Sequence, residues 1–494
     1  MSHLSTVQRV AKNTGIIIVG DVIFKLISFV VTIYLARYLG TAGFGKYNFV
    51  FAYLAFFNII TDLGLQTILV REMARDHAIA PKLIGNACII RLILTVIAVG
   101  SSLLVITLMS YPVDTTTYVY IASLTVLFIS FSDFYSTIFS ANLRMEYNIT
   151  AKLTFKVLSA GLILWIIFAN GTLMQVMIAL VFSEAVKTLL NYSFSRKFVR
   201  PQFEIDFRLW KYLFREALPL ALTSVIWVIH SSIAVIMLSI MMGDAEIGLY
   251  SAAYKLSEPF SLIPYALVVS LFPIMSASLK ISKEKVKSYK LGFKYLLIIM
   301  LPIAIGVSIL ADKIILLIYG VEFTGSALAL KILIWGLVFT SGNTIFGNLL
   351  TSMGRQKLGT YITALSAFGN VTLNFILIPL MSYVGASIAS TMTALLTFML
   401  GFYFVSKNLQ LLPLHKISIK PALGSLIMST FLLFYNTNII LLILCAAVIY
   451  LLSLLFLKTF TEEDIEIFEK VTGRDIHWIL NWESLIIKKV MRNK

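Results

Sequence analysis

The chain has 494 residues, 59% of them hydrophobic, and a formal net charge of +16, with a mean hydropathy of +0.91. A water-soluble fold cannot hide that apolar fraction, so the composition predicts an all-α polytopic membrane protein. The two cysteines, Cys88 and Cys445, both sit in apolar runs and support neither a disulfide framework nor a metal cluster.

The first apolar run continues from after Lys12 through Tyr34, too long for the core of a cleavable signal, so it is expected to serve as an uncleaved insertion signal. Runs long enough to cross a membrane, at about 20 residues each, fall near 14–36, 46–70, 84–110, 117–140, 151–169 and 173–194. A second set falls near 214–242, 247–275, 291–311, 326–352, 358–380 and 384–406, and a final pair near 418–436 and 438–457. The pattern is about fourteen transmembrane helices, arranged as two pseudo-symmetric six-helix lobes and two extra C-terminal helices. The expected organisation is an N-terminal lobe over 1–194, a cytoplasmic inter-lobe linker over 195–213, a second lobe over 214–407, appended helices over 408–457 and a cytoplasmic amphipathic tail over 458–494.

The duplication is visible in two short segments. Arg37-Tyr38-Leu39-Gly40-Thr41-Ala42-Gly43-Phe44-Gly45-Lys46-Tyr47 has a counterpart in Met242-Gly243-Asp244-Ala245-Glu246-Ile247-Gly248-Leu249-Tyr250. The copies match at Gly40 and Gly243, Ala42 and Ala245, Gly45 and Gly248, Tyr47 and Tyr250. Glycine-bearing breaks at equivalent places in two apolar halves are a mark of duplicated transporters. Basic residues alternate with the spans. Arg9, Arg71, Arg75, Arg144, the linker residues Arg196 to Arg215, and Lys280 to Lys294 lie on one side, while only Arg37, Lys46 and Lys313 lie on the other. That asymmetry puts both termini in the cytoplasm and both hinges on the outer face, and it explains the net charge without nucleic acid. Arg37, Gly40, Gly45, Gly243, Asp244, Glu246 and Gly248 are therefore expected to form an outer gate, basic in the first copy and acidic in the second.

Charged residues inside spans are costly and usually face a partner or a cavity. The bases Lys25, Arg91, Lys156, Lys255 and Lys331 are candidates for a substrate cavity, with Asp21, Asp62, Asp133, Glu184 and Glu258 as its acids and pair partners. Asp21 with Lys25, Glu184 with Lys187, and Lys255 with Glu258 stand at helical spacing, so they are read either as pairs that neutralise one another or as the walls of a hydrated cavity. Arg91, Lys156 and Lys331 have no acid within one helical turn and are the better candidates for an anionic guest, phosphate or pyrophosphate. Pro259, Pro264 and Pro273 predict a kinked eighth span. The sequence shows no catalytic constellation, metal-ligand spacing or nucleotide-binding loop, so neither an enzyme nor a cofactor is expected.

Arg37-Tyr38-Leu39-Gly40 with Gly45 and Tyr47, then Asp62-Leu63-Gly64-Leu65 and Arg71-Glu72, resembles the opening of the polysaccharide-biosynthesis flippases. Gly248-Leu249-Tyr250-Ser251-Ala252-Ala253-Tyr254-Lys255-Leu256, Met353-Gly354-Arg355-Gln356-Lys357, Leu373-Asn374, Ile378-Pro379 and Gly385-Ala386-Ser387-Ile388-Ala389-Ser390 continue that resemblance in order over residues 5–410. The family is the multidrug/oligosaccharidyl-lipid/polysaccharide (MOP) exporter superfamily, in its O-antigen flippase-like branch. The resemblance implies two six-helix lobes around a central cavity, alternating access, and a lipid groove formed by the last two helices. It also implies a substrate: an oligosaccharide on polyprenyl phosphate or pyrophosphate, moved from the cytoplasmic to the outer leaflet of a prokaryotic plasma membrane. Membrane lipids and glycan assembly machinery are the implied partners, and a monomer is expected. Where related proteins carry an acid midway along the seventh helix, this chain has Ala234, so Asn370, Asn374 and Thr391 are left as oxygen ligands for a cation, or as polar packing between helices. The alternative within the same fold is a cation-coupled multidrug exporter of the MATE type.

Overall fold

The computed structural model describes residues 6–267, 283–461 and 464, and among them every regular element is helical. The helices are α1 (Thr6–Asp62), α2 (Leu65–Arg75), α3 (Ala80–Leu108), α4 (Val113–Ala141), α5 (Met145–Phe168), α6 (Leu173–Ser195), α7 (Phe207–Met241) and α8 (Asp244–Ser257). They continue as α9 (Lys283–Ile318), α10 (Ser326–Ser352), α11 (Gln356–Asn408), α12 (Leu414–Phe434) and α13 (Ile439–Phe456). Eleven stretches of the described residues are long and apolar enough to cross a membrane. Two of those stretches each hold two expected spans. α1 runs through a break at Gly40 (φ 66°, ψ −177°), and α11 through one at Ser382 (φ 54°, ψ −136°). The expected eighth span begins as α8 and gives way to a 3₁₀ turn at Glu258–Ser261, where Pro259 supplies no N–H; Pro273 lies outside the described residues.

The described residues fall into two compact units. The first takes those within Met1–Lys255, Ile318–Phe323 and Thr363–Ala389; the second takes those within Leu256–Leu317, Thr324–Ile362 and Ser390–Lys494.

In the first unit, one core joins α2, α3, α4 and the start of α7 through Leu69, Met73, Ile84, Phe134 and Leu213. Polar contacts stitch the chain between α6 and α7 onto α2 and α3. Gln202 N–H donates to the Pro81 carbonyl at 2.9 Å, and Lys82 pairs with Asp206 at 2.7 Å. Asn86 Oδ1 accepts from the Trp210 indole at 2.8 Å and from the Asp206 backbone at 2.9 Å. Gly85 is required here, because a Cβ would lie 1.7 Å from the Gln202 carbonyl oxygen. Arg71 reaches Glu216 at 3.0 Å, and the Tyr212 hydroxyl donates to Glu72 at 2.9 Å. Lys82 holds the Asp206 carboxyl below its usual range, with help from the Leu209 and Arg208 N–H groups it caps.

In the second unit, an aromatic core of Tyr289, Phe293 and Phe346 with Phe398 and Phe402 joins α9, α10 and α11. Gly342 gives Phe398 its room, a Cβ there falling 2.4 Å from the ring. A second cluster packs α12 and α13 on α9 through Met428, Leu442, Tyr450 and Ile298. Lys285 is fully buried and donates to the Ser352 carbonyl at the C-terminus of α10, where the helix dipole favours a cation.

Past α13, Asp464 is fully buried. It accepts from Lys294, from the Tyr295 hydroxyl at 2.8 Å and from the Thr461 N–H at 2.7 Å. In the last contact Asp464 turns back onto the backbone N–H of Thr461; the amphipathic tail expected beyond lies outside the described residues. Burial works to raise the Asp464 carboxyl, but Lys294, Thr461 and Tyr295 outweigh it and hold it below the usual carboxylate range. Asp464→Ala leaves Lys294 without this partner and is expected to destabilise the protein by about 1–3 kcal/mol, read as a lowered Tm in detergent.

Candidate functional site

The two glycine hinges meet in the first unit. A Cβ on Gly45 would lie 1.7 Å from the Asp244 carbonyl oxygen, and one on Gly248 would lie 2.0 Å from the Thr41 carbonyl oxygen. The offset that aligns Gly40 with Gly243 also aligns Thr41 with Asp244 and Gly45 with Gly248. The crossing is therefore reciprocal: each hinge presses its glycine onto the same carbonyl position of the other, as an internal two-fold requires. Glycine alone permits that approach.

Around this crossing, Gly40 adopts its positive φ with Glu322 Oε2 2.8 Å from where a Cβ would stand. Arg37 Nε donates to the Ile318 carbonyl at 2.6 Å, and Phe44 packs edge-on against Phe323. Lys46 takes Asp114 as its near partner and stands 3.9 Å from Asp244. Gly243 is less tightly held, since a Cβ there would meet the mobile end of the Glu246 side chain at 3.1 Å and no backbone. Burial pushes the Asp244 carboxyl above its usual range despite Lys46.

Elsewhere in the same unit the intramembrane charges gather. Arg91, on α3, is almost fully buried. Its guanidinium meets Asp62 at the end of α1 and donates from Nε to the Ser130 hydroxyl at 3.0 Å. Asp62 in turn accepts from the Gly64 and Gln66 N–H groups, both at 3.1 Å, and so caps α2. Glu184 and Lys187 pair at 3.0 Å on α6, as their spacing predicts. Asp133 lies within electrostatic reach of Lys187, Arg91, Asp62 and Lys152.

One pairing differs from the helical-spacing reading, and two bases find acids that spacing does not supply. Asp21 meets Lys152 of α5 at 2.5 Å in place of Lys25, because α5 begins at Met145 and carries Lys152 inside its second turn. Arg91 and Lys331, which have no acid within a turn, each find one from another stretch of chain. Arg91 meets Asp62, and Lys331 meets Asp312 of α9 at 2.6 Å within the second unit.

Lys156 remains distinct. It is half-buried, lies 5.1 Å over the Phe24 ring centroid beside Lys152 at 4.7 Å, and stands within electrostatic reach of Lys255 at the end of α8. No ion pair to Lys156 occurs among the described residues. Lys25, Arg91, Lys152, Lys156, Lys187 and Lys255 thus stand against Asp21, Asp62, Asp133 and Glu184 in this unit, an excess of positive charge. Sequence reasoning missed Lys152 and Phe24. The signal available was Glu146, whose place in a helical first turn extends α5 back toward the loop.

The remaining candidates are assigned to different units. Asn374 donates to Asn370 Oδ1 at 3.0 Å, and both are buried in the first unit, the Asn374 Oδ1 finding no donor among the described residues. The Thr391 hydroxyl donates to the Ile332 carbonyl at 3.0 Å within the second unit. Glu258 opens the 3₁₀ turn after α8. No group of three or more His, Cys, Asp or Glu suited to a metal ion occurs among the described residues.

A family model described as polysaccharide biosynthesis protein matches residues 10–279. The chain belongs to the polysaccharide biosynthesis protein family. A second model, MatE, matches residues 219–376. This family member is 29% identical over 224 residues to an uncharacterised membrane protein of Methanocaldococcus jannaschii, covering 43% of this chain and 44% of that one. It is 25% identical over 179 residues to Agl15 of Haloferax volcanii, a probable low-salt glycan biosynthesis flippase, covering 36% of this chain and 38% of that one. The matched stretches thus span less than half the length of these two curated relatives. The capsular polysaccharide biosynthesis protein CapF of Staphylococcus aureus matches at 22% identity over 80% of this chain and 99% of its own. Among solved structures, the lipid II flippase MurJ in an inward closed conformation superposes with a TM-score of 0.73 at 15% identity, over 92% of this chain and 99% of that one. An inward-facing MATE transporter of the MOP superfamily gives 0.66 at 16% identity, over 80% and 95%. The expected fold and superfamily are borne out.

Proposed function

We propose that this protein is a flippase that moves an oligosaccharide or polysaccharide repeat unit, carried on polyprenyl phosphate or pyrophosphate, from the cytoplasmic to the outer leaflet by alternating access. The observation that carries the reading is the excess of cations in the first unit, with Lys156 half-buried and without an acid partner among the described residues. An anion that must leave water needs cations already desolvated and poised. Arg91, Lys152 and Lys187 have acids of their own, which leaves Lys156 to meet the phosphate, with Lys25 and Lys255 adding to the positive field. The family match, and the roles of Agl15 and CapF in glycan biosynthesis, support the glycan part of the substrate. The two six-helix lobes would rock about the hinges at Gly40–Tyr47 and Gly243–Tyr250, in a cell membrane with both termini cytoplasmic.

Lys156→Ala is expected to slow flipping of a lipid-linked glycan in proteoliposomes about tenfold, the loss expected from one charged contact, with Tm and abundance unchanged. Unimpaired flipping by this variant, beside a working wild-type control, would remove the site. The MatE match over residues 219–376 favours a second reading, a cation-coupled multidrug exporter. That reading calls for drug hypersensitivity in a deletion strain with glycan export intact; the flippase reading calls for the reverse.

A further inference from the structure

The chain between α6 and α7 has a feature that the flippase reading does not use. Residues 200–205 are exposed and take no regular secondary structure, and the side chains of Phe203, Ile205 and Phe207 are 67%, 61% and 73% exposed. They follow one another closely along the chain, between a tight turn in which the Glu204 N–H donates to the Gln202 carbonyl at 3.1 Å and the first turn of α7, which Phe207 opens. The segment is nonetheless held, because Gln202 and Asp206 are bonded to Pro81, Lys82 and Asn86 of α3. Arg200, Arg208, Lys211 and Arg215 flank the strip, all exposed and without ion pairs among the described residues.

Two observations give the height of this strip relative to lipid. α6 ends at Ser195, and just there Arg196 lies over the Tyr192 ring at 5.8 Å and Lys197 over Tyr147 at 5.6 Å. Cations over aromatic rings at a span's end mark the headgroup level. Asn86, which holds the Asp206 backbone, precedes Leu92, the first exposed large apolar side chain of α3, by about 9 Å of helix rise. Backbone at that depth lies against a headgroup layer roughly 5–8 Å thick.

We infer that the α6–α7 connection is a membrane-surface anchor: Phe203, Ile205 and Phe207 enter the headgroup layer, and Arg200, Arg208 and Lys211 bind its anionic lipids. Basic side chains bracketing exposed apolar ones match a negatively charged lipid surface, since the cations gather at the headgroups while the apolar groups leave water. The anchor would fix the chain joining the two halves at the membrane plane.

The test uses the full chain with Cys88→Ser and Cys445→Ser, spin-labelled at Ile205→Cys and reconstituted in vesicles of phosphatidylcholine alone or mixed with phosphatidylglycerol. The expected result is about threefold less collision with a water-soluble nickel complex in the mixed vesicles, an electrostatic effect that high salt reverses. Arg200→Glu, Arg208→Glu and Lys211→Glu together should abolish the protection. Equal nickel access in both lipid mixtures would overturn the assignment, whether the label proved aqueous or covered by protein. So would protection that survives the triple variant. The wild-type comparison needs no charge variant, so a folding defect in the latter leaves the test intact.

Discussion

Gly45→Ala and Gly248→Ala are each expected to destabilise the protein by about 2–3 kcal/mol, the upper range for overpacking, read as a lowered Tm in detergent and reduced abundance. The neighbour met by each new methyl group is backbone, the Asp244 carbonyl in one case and the Thr41 carbonyl in the other. No rotamer change can relieve such a contact, so the two helices must move apart. Because the contacts are reciprocal, the first separation also makes room for the second methyl. The double variant should therefore cost clearly less than the two single costs added, which a double-mutant cycle would show. Gly100→Ala is the control: nothing lies within 4 Å of its Cβ position, and alanine in a helix interior should leave stability unchanged or slightly improved. Full stability in both hinge variants would mean that the crossing is loose and the duplicated glycines mark only a shared ancestry.

Asp62→Asn is expected to be more damaging than Arg91→Ala, and both should lower stability as well as export. Removing one member of a buried ion pair costs about 3–5 kcal/mol when the other is left charged in a low-dielectric surrounding. The members differ, since the Arg91 side chain is 3% exposed and that of Asp62 is 30% exposed. Asp62 left alone can recover some hydration, which puts Arg91→Ala near 3 kcal/mol, at the lower end of about 3–5 kcal/mol. Arg91 left alone keeps its hydrogen bonds to Ser130, with the Asp133 carboxyl at longer range. The neutral carboxamide that Asp62→Asn introduces would also be a weaker acceptor for the Gly64 and Gln66 N–H groups that start α2. Thermal unfolding in detergent, run beside the flipping assay, distinguishes the roles. A normal Tm with lost flipping in Arg91→Ala would return Arg91 to contact with the substrate. Lys156→Ala carries the opposite expectation, because among the described residues Lys156 has no ion pair to break and lies over the Phe24 ring beside Lys152.

The contrast between Arg91 and Lys156 shows how far a linear reading reaches. Both look alike in sequence, each a base inside an apolar run with no acid one turn away. What separates them is a carboxylate from a helix 29 residues earlier in one case, and its absence among the described residues in the other. Asp21 makes the same point in reverse. Its evident partner by spacing is Lys25, but Lys152 of α5 arrives closer. Helical periodicity reports neighbours on one helix only, and in a bundle most partners come from another.

The membrane class, the helical fold, the approximate spans and the duplicated hinges are all legible in the order of residues. Each follows from a local quantity: the length of an apolar run, the absence of a backbone N–H at Pro259, the ease with which glycine takes φ 66° at Gly40. Packing in three dimensions was needed to show that Gly45 and Gly248 press on one another's helices, that Arg91 is neutralised by Asp62, and that Phe203, Ile205 and Phe207 are left uncovered. The physical reason is that inside a membrane the lowest free energy for a charge or a small residue is set by what packs across from it. That neighbour is chosen by the fold and not by the residues on either side in the chain.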